Sequence, residues 1–237
     1  MRLAPVTLLL ALLIVAACAP ARTVAEAPGT DRLPVVVLGS STAAGTGPSH
    51  PDSTWVNRFA RYLEGVDDRF EVINLARGGY TTYHLAPAGT PAPEGIDNAP
   101  DALRNIDAAL AHGPAAIVIN LPSNDAAEGV GVEAQMANFE AMTSAAEAAG
   151  VPVWVTTTQP RGLGAAAIAV QEAVRDAIRD RYGAHAIDFW TGFADDRGAL
   201  AGRWDSGDEI HYNDAGHAVF FARVRDAGIA EAVLAGR

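Results

Sequence analysis

Ser41, Asp208 and His211 are the residues whose types and spacing suit them for chemistry. Acyl transfer by a serine requires a hydroxyl held at an exposed turn, an imidazole to take its proton and a carboxylate to orient the imidazole. Ser41 lies in Gly39-Ser40-Ser41-Thr42-Ala43-Ala44-Gly45, directly after an apolar run, where a strand ends and a turn begins. Asp208 and His211 stand three residues apart in Ser206-Gly207-Asp208-Glu209-Ile210-His211-Tyr212-Asn213, so one turn of backbone can present both side chains in the same direction. The order serine, acid, histidine is also that of α/β-hydrolases, but their G-x-S-x-G elbow is missing: the pattern here is G-x-S-x-x-x-G. The ordinary alternatives are a turn residue capping the next segment for Ser41 and a surface loop with a local salt link for the Asp208–His211 pair.

Hydrophobic periodicity identifies the elements that must position these residues. Apolar runs at Val35–Leu38, Val72–Leu75, Ile117–Leu121, Val153–Thr157 and Ala186–Phe189 have strand length, β-branched enrichment and little alternation, as strands buried on both faces do. Between them, Trp55–Leu63, Ala102–Ala111, Val132–Ala149 and Ile168–Tyr182 carry apolar residues at helical spacing, the third ending at Gly150. A last helix starts near Asn213 or Asp214, either of which can cap its free amides. Strands alternating with helices predict an α/β fold, a three-layer α/β/α sandwich on a five-stranded, mainly parallel, doubly wound sheet. In such sheets ligands bind at the carboxyl ends of the strands. Tyr83–Pro100, with prolines at 87, 91, 93 and 100 and no periodicity, reads as a long loop of the kind that is often functional.

Four separated blocks together resemble the SGNH, or GDSL-type, family of esterases and lipases. Gly39–Gly45 reads GSSTAAG where the family commonly has GDSLTAG, and Val72–Thr82 reads VINLARGGYTT where it has a stretch like VNAGISGDTT. Asn124-Asp125 follows the third strand in the manner of the G-x-N-D block, and Asp208-x-x-His211 matches the D-x-x-H block. The resemblance spans about Leu33 to the C-terminus. It implies a flavodoxin-like SGNH fold, Ser41 as nucleophile, Asp208 and His211 as the rest of the triad, and an oxyanion hole from Ser41, Gly79 and Asn124. Taken alone, Gly79 is half of a common Gly-Gly turn signal, and Asn124 is a helix cap or Asx turn. Two positions depart from the pattern. Ser40 replaces the aspartate of the GDSL name, keeping local hydrogen bonding without charge. Pro122 replaces the glycine of the third block and removes an amide hydrogen there.

The N-terminus reads as a signal peptide over residues 1–17, with an apolar run from Val6 to Ala17 that is too short for a membrane span. Val15-Ala16-Ala17-Cys18 resembles a bacterial lipobox, implying lipidation at Cys18 and a membrane anchor; an ordinary cleaved signal is the alternative. Residues 18–32 then form a flexible tether and 33–237 the catalytic domain, long enough for one self-sufficient core. Ala19, where an aspartate would favour inner-membrane retention, points to the outer membrane in a cell that has one. Cys18 is the only cysteine, so no internal disulfide can form.

Formal net charge is -11 and all 17 basic residues are arginine, since lysine is absent. That excludes a Walker A lysine, a Ser-Lys dyad and a Schiff-base lysine. The acidic balance argues against nucleic acid as a partner. No metal-binding motif is present, and no cofactor is implied. His217, on the last helix, reads as structural. His84, beside Tyr80 and Tyr83, either lines a substrate entrance or is structural too. Gln159, Pro160 and Arg161 follow the fourth strand, and Arg161 reads as a surface arginine or a holder of a substrate anion.

The expected function is hydrolysis of carboxylic esters, with acetyl or short acyl groups, on a small-molecule, glycan or lipid alcohol. The expected setting is the extracytoplasmic side of a bacterial membrane. Acyl transfer to an envelope polysaccharide is a close variant, and a non-catalytic binding lipoprotein on the same fold is the alternative from another class.

Overall fold

Val35 and Val37 face one side of the first strand, Val36 and Leu38 the other, and all four are fully buried, so the strand needs a helical layer on each face. A computed structural model describes residues 32–121 and 123–236 and shows those layers. Five strands, β1 Leu33–Gly39, β2 Phe70–Asn74, β3 Ala116–Asn120, β4 Val153–Thr156 and β5 Ala186–Ile187, form one wholly parallel sheet in the order β2-β1-β3-β4-β5. The register sets Gly39 beside Asn120 at the carboxyl edge. The order reverses at β1, the switch point at which doubly wound sheets hold their ligands.

The helices are α1 Ser41–Ala44, α2 Trp55–Val66, α3 Thr82–Leu85, α4 Ile106–Ala111, α5 Asn124–Ala127, α6 Val132–Ala148, α7 Ala165–Tyr182, α8 Asp214–Arg225 and α9 Ile229–Ala235. On one face Trp55, Phe59 and Leu63 of α2 meet Phe220 and Val224 of α8 and Ile229 of α9. On the other, Ile106 of α4, Phe139 and Met142 of α6 and Val174 and Ile178 of α7 pack on Val36 and Leu38. Each such side chain contributes about 1.5–3 kcal/mol by leaving water.

The long strands and helices stand where periodicity puts them, with ends shifted by a few residues. The helix expected from Ala102 begins at Ile106, because Asn105 turns the chain there and accepts from the Ala108 amide. The loop expected over Tyr83–Pro100 is helical at its start, where α3 closes one turn, and irregular from Ala86 to Asn105. The single-turn helices α1 and α5 follow closely on β1 and β3, and α3 follows the Arg77–Tyr80 turn beyond β2. Cys18, the leader, nearly all of the tether and Pro122 lie outside the described residues. No helix among those residues is long and apolar enough to cross a membrane.

Candidate active site

Ser41 is the first residue of α1, at the carboxyl end of β1. The Ser40 amide donates to Asn120 O at 3.2 Å, extending the β1–β3 ladder by one bond before Ser40 breaks into extended backbone and the helix begins. Two side chains from other elements pin the helix: Gln159 Nε2 donates to Thr42 Oγ1 at 2.7 Å, and Asn74 Nδ2 to Ala43 O at 2.8 Å. Ser41 is therefore held by the sheet on both sides.

The acid and the base share one tight loop. Asp208 Oδ2 meets His211 Nδ1 at 2.6 Å, while Asp208 Oδ1 accepts the amides of Ile210 (2.9 Å) and His211 (2.8 Å). Partial burial opposes ionisation of this carboxyl, but the His211 amide, the His211 ring and the Ile210 amide outweigh it and hold the pKa at about 2. A side chain outside the D-x-x-H pattern builds the loop. Asp205 Oδ1 accepts the amides of Gly207, Asp208 and Glu209 at 2.9, 3.2 and 3.0 Å, and Asp205 bridges back to Tyr212. Its signal is the Asp-Ser-Gly-Asp run, an Asx-turn composition. Glu209 completes the turn in the left-handed region, at φ 60.

That loop is fastened on two sides. Fully buried Tyr212 donates to Pro160 O at 2.7 Å, and the Gly162 amide donates to Glu209 O at 2.7 Å. Gly162 is required by this approach, since a methyl group on it would lie 2.8 Å from Glu209 Cβ. On the other side the backbone after α1 runs against the base, with a methyl group at Gly47 lying 3.1 Å from His211 Cβ. The structure thus joins Asp208 to His211 and packs the chain just after α1, at Gly47, against His211 and Tyr212. Ser41 Oγ forms no hydrogen bond with His211, a bond that commonly tightens only when substrate is engaged.

Gly79 and Asn124 come to the same edge. The turn from Arg77 to Tyr80 closes with a 3.4 Å bond, and Gly79 within it has φ 84, which glycine alone adopts without strain. Gly78 faces Ser41, a methyl group there lying 3.8 Å from Ser41 Cβ. Among the described residues the Ser41 and Gly79 amides donate to no protein acceptor. Asn124 does not stand free. Its Nδ2 donates to Ser40 Oγ at 2.7 Å and to Tyr80 O at 2.9 Å, and its Oδ1 accepts from Arg161 Nη1 at 3.2 Å. One amide from the β3 exit thereby ties the exits of β1, β2 and β4. An oxyanion can take an N–H from it by sharing with, or displacing, the neutral Ser40 hydroxyl.

Asp125, the partner of Asn124 in its motif, is buried and accepts from the Thr82 amide and hydroxyl. Burial pushes its pKa up to about 6 against those bonds. His217 accepts from the Trp55 amide at 3.1 Å, and burial lowers its pKa to about 4, which fits the structural reading. His84 stacks on Tyr80 with centroids 4.5 Å apart and accepts from the Thr81 amide, so its contacts are those of a turn brace. A cavity of about 870 Å³ adjoins the acid–histidine loop, lined by residues including Gly162, Leu163, Ile168, Asp205 and Glu209, with Ser41 outside its lining. Among the described residues no three His, Cys, Asp or Glu side chains converge on a metal-sized site.

A doubly wound sheet with a serine at its switch point and an aspartate–histidine pair on a late loop defines the class to which comparison with known families also leads. Residues 37–219 match the GDSL-like lipase/acylhydrolase family, so the chain belongs to that family and is a serine hydrolase acting on esters. Among solved structures, the psychrotrophic esterase EstA from Pseudoalteromonas sp. is 20% identical with TM-score 0.60, covering 82% of this chain and 95% of that one. TesA is 21% identical with TM-score 0.61 (82% and 97% covered), and the acetyl xylan esterase AlAXEase 16% with TM-score 0.57 (82% and 99%). At these identities the likeness is one of fold. Nothing matches among curated proteins.

Proposed function

We propose that this enzyme hydrolyses carboxylic esters of short acyl groups, acetyl foremost, with Ser41 as nucleophile, His211 as base and Asp208 as the acid that orients it. The observation that carries the reading is the 2.6 Å contact between His211 Nδ1 and Asp208 Oδ2 on a loop packed against the chain just after α1. With its Nδ1–H given to Asp208, the His211 ring carries its lone pair on Nε2, the nitrogen that can take the Ser41 proton. Ser41 Oγ attacks the ester carbonyl as that proton moves. The Ser41 and Gly79 amides and the Asn124 amide group receive the oxyanion, where donors placed in advance lower the barrier most. His211 then returns the proton to the departing alcohol, and water, deprotonated by the same ring, releases the acid from Ser41. Gly78 beside Ser41 and Asn124 beside Ser40 are small or polar, which supports a short acyl group over a long one.

A p-nitrophenyl ester series on the purified domain tests this. Hydrolysis should be fastest for acetate and fall as the chain lengthens. Ser41→Ala and His211→Ala should each lower kcat by about 10⁴-fold or more. Turnover by His211→Ala within tenfold of wild type would mean that another residue is the base.

A further inference from the structure

We infer that Arg161 is the residue that positions the oxyanion donor, fixing the orientation of the Asn124 amide from the far side of the site; this rests on the role proposed above for Asn124. An asparagine amide can be turned over, exchanging its oxygen for its nitrogen, and neighbours of fixed polarity decide which way it lies. Ser40 Oγ can donate or accept, so it decides nothing. Tyr80 O only accepts and Arg161 only donates, so the first draws Nδ2 towards the Ser40–Ser41 side and the second holds Oδ1 away from it.

Arg161 is built for this task. Its loop is fastened at three neighbouring points: Gln159 to Thr42, Pro160 O to Tyr212, and the Gly162 amide to Glu209 O. The guanidinium is half-buried, its Nε is enclosed without a hydrogen-bond partner, and it forms no ion pair among the described residues. Burial weakens its hold on its proton, and the more distant charges of Asp208 and Glu128 offset this. A charged donor on Oδ1 also polarises the amide and makes the opposite N–H groups stronger donors. A surface arginine would have neither the enclosed Nε nor the amide beneath it.

The test is a double-mutant cycle with Arg161→Met and Asn124→Ala, read as kcat and KM on p-nitrophenyl acetate. Arg161→Met should lower kcat about tenfold or more with KM within twofold, and should do almost nothing further once Asn124 is alanine. Arg161→Lys, which keeps one charged donor, should recover much of the loss, and it supplies the comparison should the methionine variant fold poorly. Equal losses from Arg161→Met in both backgrounds, or a rise in KM at unchanged kcat, would overturn the inference while leaving a slow Asn124→Ala to support the oxyanion role. Should Asn124→Ala alone keep kcat within threefold of wild type, both readings fall together.

Discussion

Asp208 illustrates how a single residue would set the proposed chemistry. With a pKa of about 2 its carboxylate is ionised across the neutral and mildly acidic range, so the orientation of His211 does not itself titrate there. Two of its acceptor bonds go to backbone amides, and these survive replacement by asparagine. The bond to His211 does not survive, because an amide nitrogen placed there donates and forces the ring into the opposite tautomer. Asp208→Asn is therefore expected to melt near wild type yet lose about 10⁴-fold in kcat, the order seen when a triad aspartate becomes asparagine. A loss under tenfold, with the fold checked by circular dichroism, would remove Asp208 from the mechanism. Ser40 works the other way. Where the family motif has a carboxylate, a neutral hydroxyl holds the Asn124 N–H, and a neutral acceptor yields it to a developing oxyanion more readily than a charged one.

At the level of elements, what the sequence discloses depends on length. β1 and β3 are legible because both faces are buried and the apolar run is nearly unbroken; α2, α6 and α7 are legible because twelve or more residues give a periodicity several turns to show itself. One turn of helix has no periodicity, so α1, α3 and α5, which carry or flank Ser41, Gly79 and Asn124, could be reached only through motif resemblance. The braces between loops were less legible still. Tyr212 and Arg161 act across long stretches of chain, and no local pattern announces a partner that distant. Gly162 is a case in point, because its requirement comes from Glu209 on another loop. Gly162→Ala should break the 2.7 Å bond to Glu209 O, cost about 1 kcal/mol of stability, and lower kcat on the order of tenfold by shifting the acid–histidine loop. Wild-type kcat with an unchanged melting curve would show that the loop holds its place without that contact.

Across the whole molecule, two buried groups pull stability in opposite directions with pH. Asp125 titrates near 3.8 unfolded and about 6 folded, so its contribution is fully present below 3.8 and is lost as pH rises through 6. His217 titrates near 6.5 unfolded and about 4 folded, so its contribution is present above 6.5 and is lost as pH falls through 4. Each shift corresponds to something on the order of 3 kcal/mol, and the windows nearly coincide, so the two largely cancel in the wild type. Single variants should expose them. Between about pH 6.5 and 4, unfolding free energy should fall more steeply than wild type in Asp125→Asn and rise in His217→Asn, whose side-chain oxygen can still accept from the Trp55 amide. Urea titrations at several pH values decide it, and slopes of the same sign in both variants would contradict these assignments.

The Asn124 amide, which joins the exits of four strands, also bears on the order in which the protein becomes active. Ser41 is synthesised early and His211 near the end, and Ser40, Tyr80, Asn124 and Arg161 are all distant from one another along the chain. Their meeting requires the ends of β1, β2, β3 and β4 to be in place, so the proposed site is expected to assemble only once those strands have paired. Contacts of such sequence separation are slow to form, because the loop-closure entropy comes first. An acylating or phosphonylating reagent that reacts with Ser41 would then count finished molecules, and its label would serve as a clock for the last step of folding.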